Sequence, residues 1–81
     1  MIKIQNENIT INGHQFDYQL ENGDLLHGSE WNGEKYIIEK DGREIEYKPV
    51  YRFQLEGIDL DTLEDDSDEW QDATQIVGFE D

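Results

Sequence analysis

Residues 12–42 read NGHQFDYQLENGDLLHGSEWNGEKYIIEKDG, and the fold is decided there. Asn12-Gly13, Asn22-Gly23, Asn32-Gly33 and Asp41-Gly42 recur every nine or ten residues. Asn-Gly and Asp-Gly are preferred at the centre of tight hairpin turns, where both residues take positive φ. Four such pairs at near-equal spacing predict an antiparallel meander. The segments between them support this. Residues 14–20 set Phe16, Tyr18 and Leu20 on one face and Gln15, Asp17 and Gln19 on the other. Period-two alternation of this kind marks a strand with one buried and one wet face.

Outward from this stretch the same pattern continues. Residues 43–48 place Ile45 and Tyr47 opposite Glu44, Glu46 and Lys48. Residues 50–56 place Tyr51, Phe53 and Leu55 opposite Arg52, Gln54 and Glu56. This reads as two strands, with Pro49 marking an edge position or a break because it has no N–H for a ladder. Segment 34–40 carries apolar groups on both faces in Tyr36-Ile37-Ile38. Segment 24–31 rests on Leu25, Leu26 and Trp31, with Gly28 signalling a bulge or bend. Near the N-terminus, Ile2 and Ile4 alternate, as do Ile9 and Ile11, with Asn6-Glu7-Asn8 read as a turn between two short strands. The expected fold is mostly β: six or seven short strands in residues 2–56, forming an antiparallel meander that becomes a twisted sheet or a small, partly closed barrel. Closure shelters strand edges.

Charge divides the chain differently. Acidic residues number 21 against 6 basic ones, for a formal charge of -15. Residues 58–81 hold ten of those acids and none of the bases. The organisation read from this is a β-meander over 1–57 and an acidic C-terminal segment over 58–81, packed on the same single domain. In one reading of the segment, Leu60, Leu63, Ser67, Trp70, Thr74 and Val77 form a helical stripe. In the other, 59–69 is an irregular acidic loop with a single helical turn near 67–72, Trp70 anchors it, and 74–79 adds a final strand. The second is preferred, because Asp65-Asp66-Ser67-Asp68 is poor helix material and its charges repel at helical spacing.

Several function classes find little support. There is no cysteine, which excludes disulfides, thiolate zinc sites and cysteine nucleophiles. Histidines occur only at 14 and 27 and serines only at 29 and 67. His27 and Ser29 would share a strand face, but no orienting carboxylate accompanies them. No enzyme activity and no cofactor are expected. Oxygen ligands abound in 59–69, yet their spacing lacks the glycine and final glutamate of an EF-hand loop, so no dedicated metal site is expected. No apolar run exceeds Tyr36-Ile37-Ile38. Neither a membrane span nor a signal peptide is expected, and the expected location is cytoplasmic. The sign of the charge also argues against direct binding to nucleic acid or anionic membranes.

What remains is recognition of a basic protein. The candidate contacts are Asp59, Asp61, Glu64, Asp65, Asp66, Asp68, Glu69, Trp70 and Asp72 in the tail, with Glu44 and Glu46 on a strand. Carboxylates at i,i+2 on a strand face lie about 6.6–6.8 Å apart, the order of the phosphate spacing along a nucleic-acid strand. Glu44 and Glu46 fit that arrangement, and Asp59 and Asp61 fit it if extended. In size, charge and the Asp59–Asp72 cluster, the chain resembles the small acidic DNA-mimic inhibitors of phages and mobile elements, the anti-CRISPR and anti-restriction class. The resemblance is one of composition and shares no motif. It implies a stoichiometric blocker of the nucleic-acid-binding surface of a nuclease or a CRISPR or restriction complex. Two alternatives share the physics: an immunity protein for a nuclease toxin, and a non-inhibitory adaptor module that binds a basic protein. Oligomeric state is not legible.

Overall fold

A computed structural model describes all 81 residues, Met1–Asp81. Six antiparallel strands form one nearly closed, barrel-like sheet: β1 (Ile2–Ile11), β2 (His14–Leu20), β3 (Leu25–Leu26), β4 (Tyr36–Lys40), β5 (Arg43–Tyr51) and β6 (Ile76–Glu80). Two short helices, α1 (Arg52–Glu56) and α2 (Asp68–Ala73), lie between β5 and β6. The sheet order is β3-β2-β1-β6-β5-β4. The hairpins follow one another along the chain, and the last strand joins the two groups in the middle.

All four Asn-Gly and Asp-Gly pairs fall between strands, but both residues take positive φ only at Asn12-Gly13 and Asp41-Gly42, and Asn32-Gly33 lies in a looser bend. Two are equally tight: at Asn12-Gly13 φ is 52° and 81° and Ile11 pairs directly with His14, and at Asp41-Gly42 φ is 54° and 75° and Lys40 pairs directly with Arg43. That is the two-residue geometry whose twist matches the flanking strands.

Segment 24–31 keeps only Leu25–Leu26 as strand, with Gly28–Glu30 a 3-10 turn, and two further strand assignments change. The first concerns Asn6-Glu7-Asn8, which is not a turn: β1 runs through it unbroken. Ile2 and Ile4 are out of phase with Ile9 and Ile11, so a regular strand cannot turn both pairs to one side. A bulge resolves the conflict. The register slips by one residue between Ile4↔Leu20 and Asn6↔Gln19, which returns Ile9 to the face of Phe16.

The second concerns residues 50–56. β5 continues through Pro49 to Tyr51, and Arg52–Glu56 is helical. Pro49 lies past Tyr47, the last residue paired to β4, and sits opposite Phe79 of β6. Local bonds explain the switch. The Tyr51 N–H donates to Gln54 Oε1 at 3.0 Å, and the Arg52 guanidinium reaches Glu56 at 3.1 Å, one turn along. Gly57, at φ 69°, then lets the Ile58 N–H reach back to the Phe53 carbonyl at 3.0 Å. A left-handed residue followed by that bond is a standard helix stop. The alternation of Tyr51, Phe53 and Leu55 therefore does not mark a strand face, and Leu55 is left 62% exposed.

Leu20, Leu26, Tyr36, Ile38, Tyr47 and Phe79 form the core, with Ile2, Ile4, Tyr18, Ile45 and Ile76 packed around it. Phe79 is fully buried, and its ring meets those of Tyr18 at 5.2 Å and Tyr36 at 5.8 Å, both edge-on. Beside it, Gly78 passes so close to β1 that a Cβ would stand 2.7 Å from the Ile2 carbonyl oxygen. The acidic segment thus ends as a central strand of the sheet.

Polar side chains close the seam between the edge strands. Asp24, 8% exposed, accepts hydrogen bonds from the Tyr47 hydroxyl and from Lys40 Nζ at 2.7 Å. Asn22 donates to the same carboxylate and to the Tyr47 oxygen. Tyr36 donates its hydroxyl to Asp17 at 2.8 Å. Apart from the local Asn22–Asp24 bond, each link joins the β2–β3 side to β4 or β5.

Candidate functional site

The tail leaves the sheet at Tyr51 and returns to it opposite the same residue, where Ile76 pairs with Tyr51 and the Arg52 N–H donates to the Gln75 carbonyl. Both ends of the acidic excursion are thereby fixed at one end of β5. Between them the chain is locally built. Asp59 Oδ1 accepts from the Asp61 N–H at 3.0 Å and starts a 3-10 turn, Leu60–Thr62. The Ser67 hydroxyl donates to the Glu64 carbonyl at 2.8 Å and accepts from the Trp70 N–H at 3.1 Å, which caps α2. Serine at that position satisfies one of the orphan N–H groups of the first turn. Ile58, Leu60, Leu63 and Trp70 are half-buried and Ala73 is buried, so apolar contacts hold the excursion to the body.

This arrangement follows the loop-and-strand reading of the tail. It departs from expectation at Asp59 and Asp61, which are not extended: the 3-10 turn replaces the strand spacing. A short acidic side chain competes well for a neighbouring N–H, and that bond bends the backbone.

All eight tail acids, Asp59, Asp61, Glu64, Asp65, Asp66, Asp68, Glu69 and Asp72, are exposed, and none is in an ion pair. Arg52 lines a groove with Glu69 and Asp72 but turns its guanidinium to Glu56. Asp68 and Glu69 occupy the first turn of α2, where negative charge suits the helix dipole. Trp70 is half-buried and fastens the tail. The more exposed tryptophan is Trp31, at 37%, which packs against the Tyr36 ring at 4.9 Å.

Glu44 and Glu46 are not brought to this cluster. They precede Tyr51 by seven and five residues along β5, about 24 and 17 Å at the rise of a strand. Both are exposed, but Glu46 is held by Lys35 at 2.9 Å and Glu44 stands directly opposite Glu39. His27 and Ser29 are not on a strand. His27 Nδ1 accepts from the Ser29 N–H at 3.0 Å, while Glu30 accepts from the His27 N–H. The pair caps a 3-10 turn, Gly28–Glu30.

The acid with the most elaborate surroundings, Asp24, was not singled out by sequence, because an aspartate after Asn22-Gly23 looks like one more turn residue. Burial pushes its carboxyl up, but hydrogen bonds from Lys40 and Tyr47 outweigh that and hold it below the ordinary range. Nowhere do three histidine, aspartate or glutamate side chains converge closely enough to hold a metal ion. No helix is long and apolar enough to cross a membrane. Comparison with protein-family models, curated proteins and solved structures finds no match to this chain.

Proposed function

We propose that this protein is an acidic mimic of nucleic acid. It binds the basic nucleic-acid-binding surface of a nuclease, or of a CRISPR or restriction complex, and blocks it stoichiometrically rather than by catalysis. One observation carries the reading: eight exposed tail carboxylates, none of them ion-paired, stand on a backbone held by caps, turns and half-buried apolar side chains. A groove that grips phosphates presents lysine and arginine at fixed positions. Carboxylates already held in place meet it with less ordering entropy to lose than a flexible acidic tail. Opposite potentials also speed the encounter.

The test has two stages. An affinity capture from cell lysate at low salt, with mass spectrometry, identifies the partner. The purified pair is then measured directly. Affinity falls steeply as salt rises, because exposed charges are screened beyond about 8 Å at physiological ionic strength. Nucleic acid and this protein compete for the partner. Replacing Asp65, Asp66 and Asp68 with Asn and Glu69 with Gln abolishes inhibition and leaves the circular dichroism spectrum unchanged. Simultaneous binding of nucleic acid and this protein, or full inhibition by the fourfold variant, rejects mimicry by the tail.

A further inference from the structure

The groove that Arg52 lines with Glu69 and Asp72 has an apolar remainder: Ile58, Leu63 and Ala73 complete it, around a space of about 250 Å³. Local structure brings these residues together. Gly57 ends α1 and turns Ile58 back toward it, where the Ile58 N–H meets the Phe53 carbonyl. The 3-10 turn Leu60–Thr62 closes as the Leu63 N–H donates to the Leu60 carbonyl at 3.2 Å. On α2, Glu69, Asp72 and Ala73 stand at i, i+3 and i+4 and so share a face. Burial grades across the groove. Ala73 is buried, Ile58 and Leu63 are half-buried, and Glu69 and Asp72 are exposed. The apolar side chains are the floor and the carboxylates the rim.

Three features define an occupant. Small-molecule sites run to about 300–1,000 Å³ and enclose most of their ligand; a smaller, open groove suits one side chain of a protein. The floor offers a cationic head no acceptor, whereas an aliphatic side chain seated there loses only its contact with water. The rim sets the charge around that side chain. Glu69 and Asp72 are unpaired, as are the six tail acids from Asp59 to Asp68, and the guanidinium of Arg52 is engaged by Glu56.

We propose that this groove receives one aliphatic side chain of the partner protein, carried in a basic segment. The proposal rests on the reading of the tail as a surface for a basic protein, and it supplies the selectivity that charge lacks. Exposed carboxylates attract any cationic surface, and salt screens them. Burial of an apolar side chain is not screened, and a few buried anchors hold most of the energy of an interface. Among basic proteins, the groove favours one with a side chain to fill it.

The experiment is an NMR titration of the whole protein, at low salt, with the capped peptide Lys-Arg-Leu-Arg-Lys. Parallel titrations use the same peptide with asparagine in place of leucine, of equal charge, and Gln-Gln-Leu-Gln-Gln, with the leucine but no charge. The basic leucine peptide is expected to shift the methyl signals of Ile58, Leu63 and Ala73 together with the tail amides. The asparagine peptide should bind about tenfold more weakly, the scale of one buried aliphatic side chain, and should leave those methyls in place. Added salt weakens both basic peptides and preserves their ratio. Leu63→Ser removes the advantage of leucine while the asparagine peptide binds as before; the comparison on the wild type stands even if that variant loosens the tail. Equal binding of the two basic peptides, with shifts confined to the acids, would overturn the groove and leave the charge reading of the tail intact. Equal binding of the uncharged leucine peptide would overturn the basic occupant, and with it the charge reading, while keeping an apolar site. Leucine-dependent shifts at Pro49, Val50 and Leu55 instead would overturn the location. No binding by any of the three would overturn both the groove and the reading it rests on.

Discussion

Asp24 and the tail acids are the same chemical group in opposite settings. Asp24 is buried, with Tyr47 and Lys40 bonded to it across the seam of the barrel and Asn22 bonded to it within its own turn. Eight carboxylates in Asp59–Asp72 are exposed and without a cation. Removing a partnered buried acceptor strands its donors, whereas removing an unpartnered surface charge strands nothing. Asp24 is therefore explained by the fold. Most of the tail acids are not, and their mutual repulsion works against it. Asp59, Asp68 and Glu69 are partial exceptions, serving a cap and a helix N-terminus.

The largest effect expected from this contrast is the loss of Asp24. Asp24→Ala leaves the buried Tyr47 hydroxyl without its acceptor and frees Lys40. A destabilisation of about 2–3 kcal/mol is expected, seen as a melting temperature lower by roughly 10–20 °C for a domain of this size. Tyr47→Phe removes one of the same bonds without stranding a charge and should lose less. Thermal melts followed by circular dichroism decide the matter. An Asp24→Ala variant as stable as the wild type would break the contrast, because the seam would then be held by packing alone.

Acid should reproduce part of that loss reversibly. The Asp24 carboxyl is held below its ordinary value in the folded protein. Its contribution is thus complete above the unfolded value of about 3.9, and it disappears as pH falls through the lower, folded value. Lys40 and Tyr47 are both raised: Lys40 chiefly by its hydrogen bond to Asp24, Tyr47 by burial and then by the same carboxylate. What they add is present below their unfolded values, about 10.4 and 10, and is lost as pH rises through the folded ones. Urea melts from acid to alkali should therefore show a plateau with a loss at each end. In Asp24→Asn the acid limb should be shallower. An unchanged acid limb would assign it to other carboxylates.

The same contrast explains which features the sequence disclosed. Turn chemistry is local, so three of the four dipeptides placed the hairpins, while Asn32-Gly33 lies between β3 and β4, which do not pair. Alternation is also local, and it located β2 and the part of β5 that pairs with β4. Residues 50–56 misled because Tyr51, Phe53 and Leu55 alternate well, while Gln54, Glu56 and Gly57 supply a helix start, an i,i+4 pair and a stop whose signals are weaker in one dimension. The phase conflict between Ile4 and Ile9 was visible, but both a turn and a bulge answer it. For the candidate site, the tail acids were legible as composition. Asp24 and Asp17 were not, because each owes its meaning to a residue far along the chain: Tyr47 and Tyr36.

The smallest effect has the opposite sign and tests the other half of the contrast. Glu64, Asp65 and Asp66 neither cap a turn nor stand in the first turn of α2, so their charge can be removed without touching a contact of the fold. Glu64→Gln with Asp65→Asn and Asp66→Asn should raise stability by about 0.5 kcal/mol at low salt, the scale of a few relieved like-charge pairs. Salt should erase the gain. The screening length falls from about 30 Å at 0.01 M to about 3 Å at 1 M, so the wild type gains stability with added salt while the variant gains less, and the two converge. Urea melts at both salt concentrations provide the comparison. A variant less stable than the wild type at low salt would mean that these carboxylates hold the tail in place. The reason for retaining them would then be structural, and the need for a basic partner to explain them would fall away.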